Sequence, residues 1–306
     1  MTRVVVHSSV KTIKAWAFTG RRRLTTVILN DGLEEIDVGA FHGCTSLERI
    51  AIPPTVRVIM GSAFHWCSRL TALDLGDGLE EIQDYAFAGC TSLVRIVIPP
   101  TVKAIEYAAF KGCTGLTTLI LGDGLGEIWD GASHGCRSLV RIVISLAVRV
   151  IGYAAFKGCS SLTTVHLNNG LEEIRGEAFY KCTSLVHIAI PPTVKAIEYE
   201  AFKRCSGLAA VHLGDGLEVI RTRAFAYCRS LERIVIPRGV KVIDKWAFEH
   251  CSQLTTVELN HGLEKIGANA FIYCTLLRKI RSPHPSRRLA MLHSNLLAVD
   301  NCCGAL

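Results

Sequence analysis

Apolar residues recur along this chain on a fixed schedule. In Ala40-Phe41-His42-Gly43-Cys44-Thr45-Ser46-Leu47-Glu48-Arg49-Ile50-Ala51-Ile52 they follow the skeleton Ala-Phe-x-x-Cys-x-x-Leu-x-x-Ile-x-Ile, which repeats through most of the sequence. Cysteine returns at Cys44, Cys67, Cys90 and onward to Cys274, every step being 23 residues without insertion or deletion. All 11 phenylalanines share one column, from Phe18 to Phe271, and Ser133 stands in that column once. A fixed period in this range marks a solenoid, whose units bury their apolar faces only against neighbouring units. The Leu-x-x-Ile-x-Ile stretch alternates at period two and predicts a strand with its apolar side chains on one face. A second apolar pair, such as Val102 and Ile105, predicts another short strand after a turn. The Ala-Phe-x-x-Cys segment predicts a short helical or 3₁₀ turn leading back to the next strand.

A second layer lies over the first. One type of unit turns after its strand through Asp-Gly or Asn-Gly, as at Asn30-Asp31-Gly32, Gly122-Asp123-Gly124 and Asn168-Asn169-Gly170. The other turns through proline, at Pro53-Pro54, Pro99-Pro100, Pro191-Pro192 and Pro237. The full period is therefore two units. Charge follows the same alternation in the column Lys11, Glu34, Arg57, Glu80, Lys103, Gly126, Arg149, Glu172, Lys195, Glu218, Lys241 and Glu264. Stacked strands lie about 4.8 Å apart, so a strict one-unit repeat would pile like charges together. Alternation predicts a ladder of ion pairs instead.

One unit departs from the rule. Around residues 122–147 the phenylalanine becomes Ser133, the charge column holds Gly126, and the proline turn becomes Ser145-Leu146. Local loosening is expected there, with Trp129 filling part of the gap. The pattern stops at Ser282-Pro283, dividing the chain into a solenoid over residues 1–282 and a tail over residues 283–306. Within the tail, Leu289, Leu292, Leu296 and Val299 are spaced for an amphipathic helix that caps the open core.

Composition narrows the chemistry. The net charge of +7 on 306 residues is modest and mostly alternating, which argues against nucleic acid as partner. Of 13 cysteines, all but Cys302 and Cys303 lie in the one repeat column. They read as small buried hydrophobes in a reducing setting rather than as disulfides or ligands. The opening Met1-Thr2-Arg3-Val4-Val5-Val6-His7 is too short and polar for a signal peptide, and no stretch is long enough to span a bilayer. The expectation is a cytoplasmic monomer, or a cell-surface adhesin if a secretion signal lies upstream of the mid-repeat start.

Residues 93–113, LVRIVIPPTVKAIEYAAFKGC, carry a family signature. They resemble the BspA-like leucine-rich repeat, whose units read Leu-x-x-Ile-x-Ile-Pro, then Val-x-x-Ile, then Ala-Phe-x-x-Cys, and the resemblance runs from about residue 4 to 282. It implies a curved right-handed array of about twelve 23-residue coils with a parallel sheet on the concave side, an α/β-type repeat solenoid that is mostly β. It also implies a scaffold for macromolecular recognition, similar to bacterial surface adhesins.

On a concave sheet, the residues flanking the inward Ile face outward. Arg49, Arg95, Arg141, His187, Arg233 and Lys279 then form a basic row on every second coil, beside an apolar row that includes Val97, Ile120 and Val143. Such a surface suits an acidic, partly apolar protein segment. A polyanion, nucleic acid or glycan, bound along the basic ladder is the alternative. His166, His187 and His212 cluster on the same face, but zinc needs three or four ligands about one point. The Asp-Gly turns offer calcium one carboxylate every second coil, too few for its six to eight oxygens. No phosphate-binding loop, Gly-x-Ser-x-Gly or His-Glu-x-x-His motif occurs, so no catalytic, metal or cofactor residue is assigned.

Overall fold

The structure, a computed structural model, describes residues 2–282. The expected capping helix and Cys302-Cys303 lie outside these residues.

Each coil carries a three-residue strand and a two-residue strand, and every strand pairing is parallel and between neighbouring coils. The two-residue strands, from Thr12–Ile13 to Lys265–Ile266, form one unbroken sheet of 12. The three-residue strands instead divide into sheets of four, six and three. The core is the set of repeat columns seen end on. Leu47, Ile50, Ile52, Val56, Ile59, Ala63, Phe64 and Cys67 are all buried within one turn of the solenoid. Successive phenylalanine rings stack nearly parallel, with centroids 5.2 Å apart for Phe41 and Phe64 and 5.3 Å for Phe179 and Phe202. Each aromatic face is thus covered by the next coil, where a large apolar ring stabilises most.

The cysteine column adds a polar tie. Cys113 Sγ donates to the Phe87 carbonyl at 3.2 Å, and the same bond recurs from Cys44 on Phe18 to Cys274 on Phe248. Burial pushes the Cys113 thiol up to about 12, so it stays protonated and can donate.

Among the described residues Ala-Phe-x-x-Cys forms single 3₁₀-type turns, as predicted, and no helix longer than that. The segment is a pair of hydrogen-bonded turns, His42 N–H to Gly39 C=O at 2.9 Å and Cys44 N–H to Phe41 C=O at 3.1 Å. Left-handed residues, Gly39 at φ 59° and Gly43 at φ 68°, stand on either side of Ala40, Phe41 and His42, and right-handed helix cannot propagate through them.

The unit around Ser133 also differs from expectation. Trp129 lies on the surface, 42% exposed, and does not fill the gap, while Ser133 itself is 1% exposed. The phenylalanine stack stops at Phe110 and resumes at Phe156. The backbone does not loosen: Phe110 N–H to Ala132 C=O and Ser133 N–H to Ala155 C=O measure 2.7 and 2.8 Å, as in other coils. The coil-to-coil ladder carries the register without the ring.

Candidate functional site

The two coil types join unequally. A proline coil and the glycine coil after it share a full three-residue ladder, as Arg95–Val97 does with Thr118–Ile120 and Arg141–Val143 with Thr164–His166. A glycine coil and the next proline coil share only one pair, Thr118 with Arg141 or Thr164 with His187. Between Ala72–Asp74 and Arg95–Val97 the sheet breaks altogether.

Turn chemistry explains the difference. In the close step the glycine turn nests on the preceding prolines: a Cβ added to Gly78 would fall 1.9 Å from the Pro54 carbonyl oxygen. Where asparagine replaces the first glycine, its side chain reaches back instead. Asn168 Nδ2 donates to the Ser145 and Val148 carbonyls at 2.8 and 2.9 Å. In the open step the proline turn has no N–H to offer the glycine turn before it. A threonine hydroxyl substitutes, Thr101 Oγ1 reaching the Asp77 and Leu79 carbonyls at 2.8 and 2.6 Å.

The open steps leave grooves on the outward face of the three-residue strands. One of about 360 Å³ lies between Ala72–Asp74 and Arg95–Val97, with Asp74, Asp77, Arg95 and Val97 in its walls. A larger one of about 520 Å³ lies between Thr118–Ile120 and Arg141–Val143. Thr118, Ile120, Asp123, Arg141, Val143 and Ser145 line it. This second groove falls on the irregular unit. Ser145 and Ala147 stand where three other coils have Pro and Thr (Pro53 and Thr55, Pro99 and Thr101, Pro191 and Thr193), so the threonine clamp is missing. Leu146, in the second proline position, projects into solvent at 81% exposure. The Ser145 Oγ is buried with no hydrogen-bond partner, although the residue lines the groove. A buried hydroxyl left unpaired costs about 1–3 kcal/mol.

The predicted row of residues separates into unequal members. Arg95 and Arg141 flank the central patch of Val97, Ile120 and Val143, all exposed. Among the described residues neither arginine makes an ion pair. Arg233 is engaged, its Nη2 lying 2.8 Å from Glu258, which also takes Arg281 at 3.2 Å. Arg49 stands beside Ala72, with Ala51 opposite Asp74 in the same ladder, outside the apolar patch. His187 pairs with Ala210 and Ala189 with His212. Among the described residues no group of three or more His, Cys, Asp or Glu side chains could hold a metal ion. Lys279, in the last described strand, borders a separate groove with Thr256 and Arg278. Thr118, Val140 and Ser145 also line the groove and were not among the expected site residues; of these only Ser145 departs from the repeat, and that departure was its signal.

The charge column forms discrete pairs rather than a ladder. Lys11 meets Glu34 at 3.0 Å, Arg149 meets Glu172 at 3.6 Å, Lys195 meets Glu218 at 3.4 Å, and Arg57 pairs with Glu80. Each bridges a close step; among the described residues, none in this column crosses an open one. These exposed pairs contribute about 0–1 kcal/mol each.

Comparison with known proteins agrees with this architecture. The profile of the BspA type leucine rich repeat region matches six copies, over residues 1–117, 80–209 and 173–291. A leucine-rich repeat protein from Bacteroides ovatus is similar at 28% identity and TM-score 0.76, covering 91% of this chain and 78% of its own. A leucine rich cell surface protein from Faecalibacterium prausnitzii is similar at 27% identity and TM-score 0.56, covering 100% of this chain and 92% of its own. Among curated proteins no significant match exists.

Proposed function

Since the chain belongs to the BspA-type leucine-rich repeat family, we propose that it is a non-catalytic recognition scaffold. Its partner is a protein segment lying across the strands Arg95–Val97, Thr118–Ile120 and Arg141–Val143. The observation that carries this reading is the 520 Å³ groove, where an apolar rim, an unpaired Arg141 and the unpartnered Ser145 hydroxyl come together. Apolar contact supplies affinity, while the guanidinium selects the polar groups between apolar anchors. Arg95 and Arg141 favour an acidic segment.

A polyanion along the basic row is supported less well. Glu258 occupies Arg233, and Asp74 interrupts the face between Arg49 and Arg95. A cell-surface role draws its support from the Faecalibacterium relative, which is named a cell surface protein.

The test is cross-linking of the intact array to captured proteins, with the variants Ile120→Glu plus Val143→Glu and, separately, Val235→Glu. All three positions are exposed, so the fold tolerates them. A partner lost by the double variant and kept by Val235→Glu supports the central groove; a partner kept by both removes it. Binding that falls steeply between low and moderate salt favours the polyanion.

A further inference from the structure

A second concavity, of about 250 Å³, lies on the turns preceding and following the cysteines, away from the sheet-face grooves. Its lining is Lys181, Thr183, Arg204, Ser206, Tyr227 and Arg229, three cations and no acid. Neighbouring cations on the same turns are each matched by a carboxylate. Lys157 pairs with the buried Glu177, Lys203 meets Glu200 at 2.7 Å, and Arg223 lies 3.3 Å from Glu249. Among the described residues Lys181, Arg204 and Arg229 have no acidic partner. Their mutual repulsion is not compensated by any acid lining the cleft.

The residue before each cysteine is left-handed, and from Cys44 to Cys159 it is glycine at every position but Trp66. From Lys181 onward the glycine is gone: Lys181, Arg204 and Tyr227 hold φ of 60°, 63° and 64°. His250 and Tyr273 hold the same position at φ 57° and 60° outside the cleft, so the conformation belongs to the repeat turn and the cleft is set apart by its charge. The side chains are also braced. The Arg204 guanidinium lies 5.3 Å and that of Arg229 6.0 Å from the Tyr227 ring centroid. Tyr227 stacks on His250 at 4.5 Å, and His250 on Tyr273 at 4.3 Å. Two guanidinium groups are thus positioned on an aromatic column before any ligand arrives.

We propose that this cleft binds a tetrahedral oxyanion, the phosphate or sulfate group of an ester. Three cations converging without an acid match a group with three or four charged oxygens better than a planar carboxylate with two. The Ser206 hydroxyl is free to donate as well, whereas Thr183 already donates to the Ser160 carbonyl at 3.2 Å.

Calorimetry on the full chain tests this, with inorganic phosphate, inorganic sulfate, methyl phosphate, methyl sulfate and acetate as probes. A methyl ester binding at least as well as its free ion identifies an ester site; tighter binding of the free ion alone overturns the ester assignment. Acetate is expected to bind about tenfold more weakly, and Lys181→Gly and Arg204→Gly to weaken the ester about tenfold each. Both variants restore the residue that suits a positive φ, so the thermal midpoint stays level or rises and misfolding cannot mimic the loss. Arg95→Gln with Arg141→Gln leaves binding unchanged. Equal binding of acetate, wild-type affinity in the Lys181→Gly, Arg204→Gly protein, loss in the sheet-face variant, or no saturable binding of any probe would each overturn the proposal.

Discussion

A Cβ placed on Gly124 falls 1.9 Å from the carbonyl oxygen of Pro100. The same approach recurs at Gly216 on Pro192, at 1.8 Å, four coils further along. Glycine is needed here for space, because the proline turn of one coil seats the glycine turn of the next. This contact closes one junction and leaves the following one open, which sets the spacing of the sheet-face grooves.

Gly124→Ala is therefore expected to cost about 3 kcal/mol, at the upper end of overpacking effects. Gly112→Ala, at φ 71° with nothing within 4 Å of the new carbon, should cost about 1 kcal/mol from backbone strain alone. Urea unfolding ranks the two. Amide exchange at Ile98, which donates to the Ile120 carbonyl at 2.9 Å, should accelerate only in Gly124→Ala. Equal costs would show that the turn relaxes without opening the junction.

Ser133→Phe should join the two phenylalanine stacks. The backbone is already in register, and a fully buried aromatic side chain contributes roughly 1.5–3 kcal/mol. A rise in unfolding midpoint is expected. A fall would mean that the neighbouring rings have closed over the serine. Trp129→Ala, which removes a surface ring, should leave the midpoint within about 0.5 kcal/mol of the parent.

The cysteine column should be chemically silent in the folded protein. Thiols at Cys44, Cys113, Cys159 and Cys205 are pushed up to about 11, 12, 12 and 12 by burial, and only the thiolate reacts readily. Iodoacetamide at pH 8, followed by mass spectrometry, should leave Cys44 through Cys274 unmodified until denaturant is added. Cys44, nearest the end of the column and least raised, should be the first of these four to react.

Acid should weaken the middle of the array through Glu177. Burial would raise its carboxyl, but hydrogen bonds from Lys157 and from the Tyr153 hydroxyl at 2.7 Å outweigh it, so it sits below the ordinary 4.5. A depressed carboxyl contributes stability that is present above about pH 4.5 and is lost as pH falls through the lowered value. Glu177→Gln should be less stable at neutral pH by about 1 kcal/mol and show a flatter acid limb in thermal melts. An unchanged acid limb would place the titration elsewhere.

Much of the fold is legible in the chain because its core columns are local and repeated. Phe, Cys, Leu and Ile at constant spacing tell which side chains face inward, and each of these columns is buried. That the turn at Ala-Phe-x-x-Cys stays a single turn is not legible in Ala and Phe, which say little about φ; the left-handed residues beside them decide it. Of the candidate site, Arg95, Arg141, Val97, Ile120 and Val143 follow from strand alternation. Ser145 does not, because its unpaired hydroxyl depends on what the turn packs against.

The sequence by itself determined the coil, the inward columns and the alternation of turns, since periodicity encodes which way a side chain points. Only the tertiary structure decided which junctions close, which arginines find a glutamate, and where cations remain unmatched. Those outcomes depend on whether atoms from successive coils fit or reach one another through space. Gly124 and Pro100 fit, Arg233 reaches Glu258, and Lys181, Arg204 and Arg229 reach no acid.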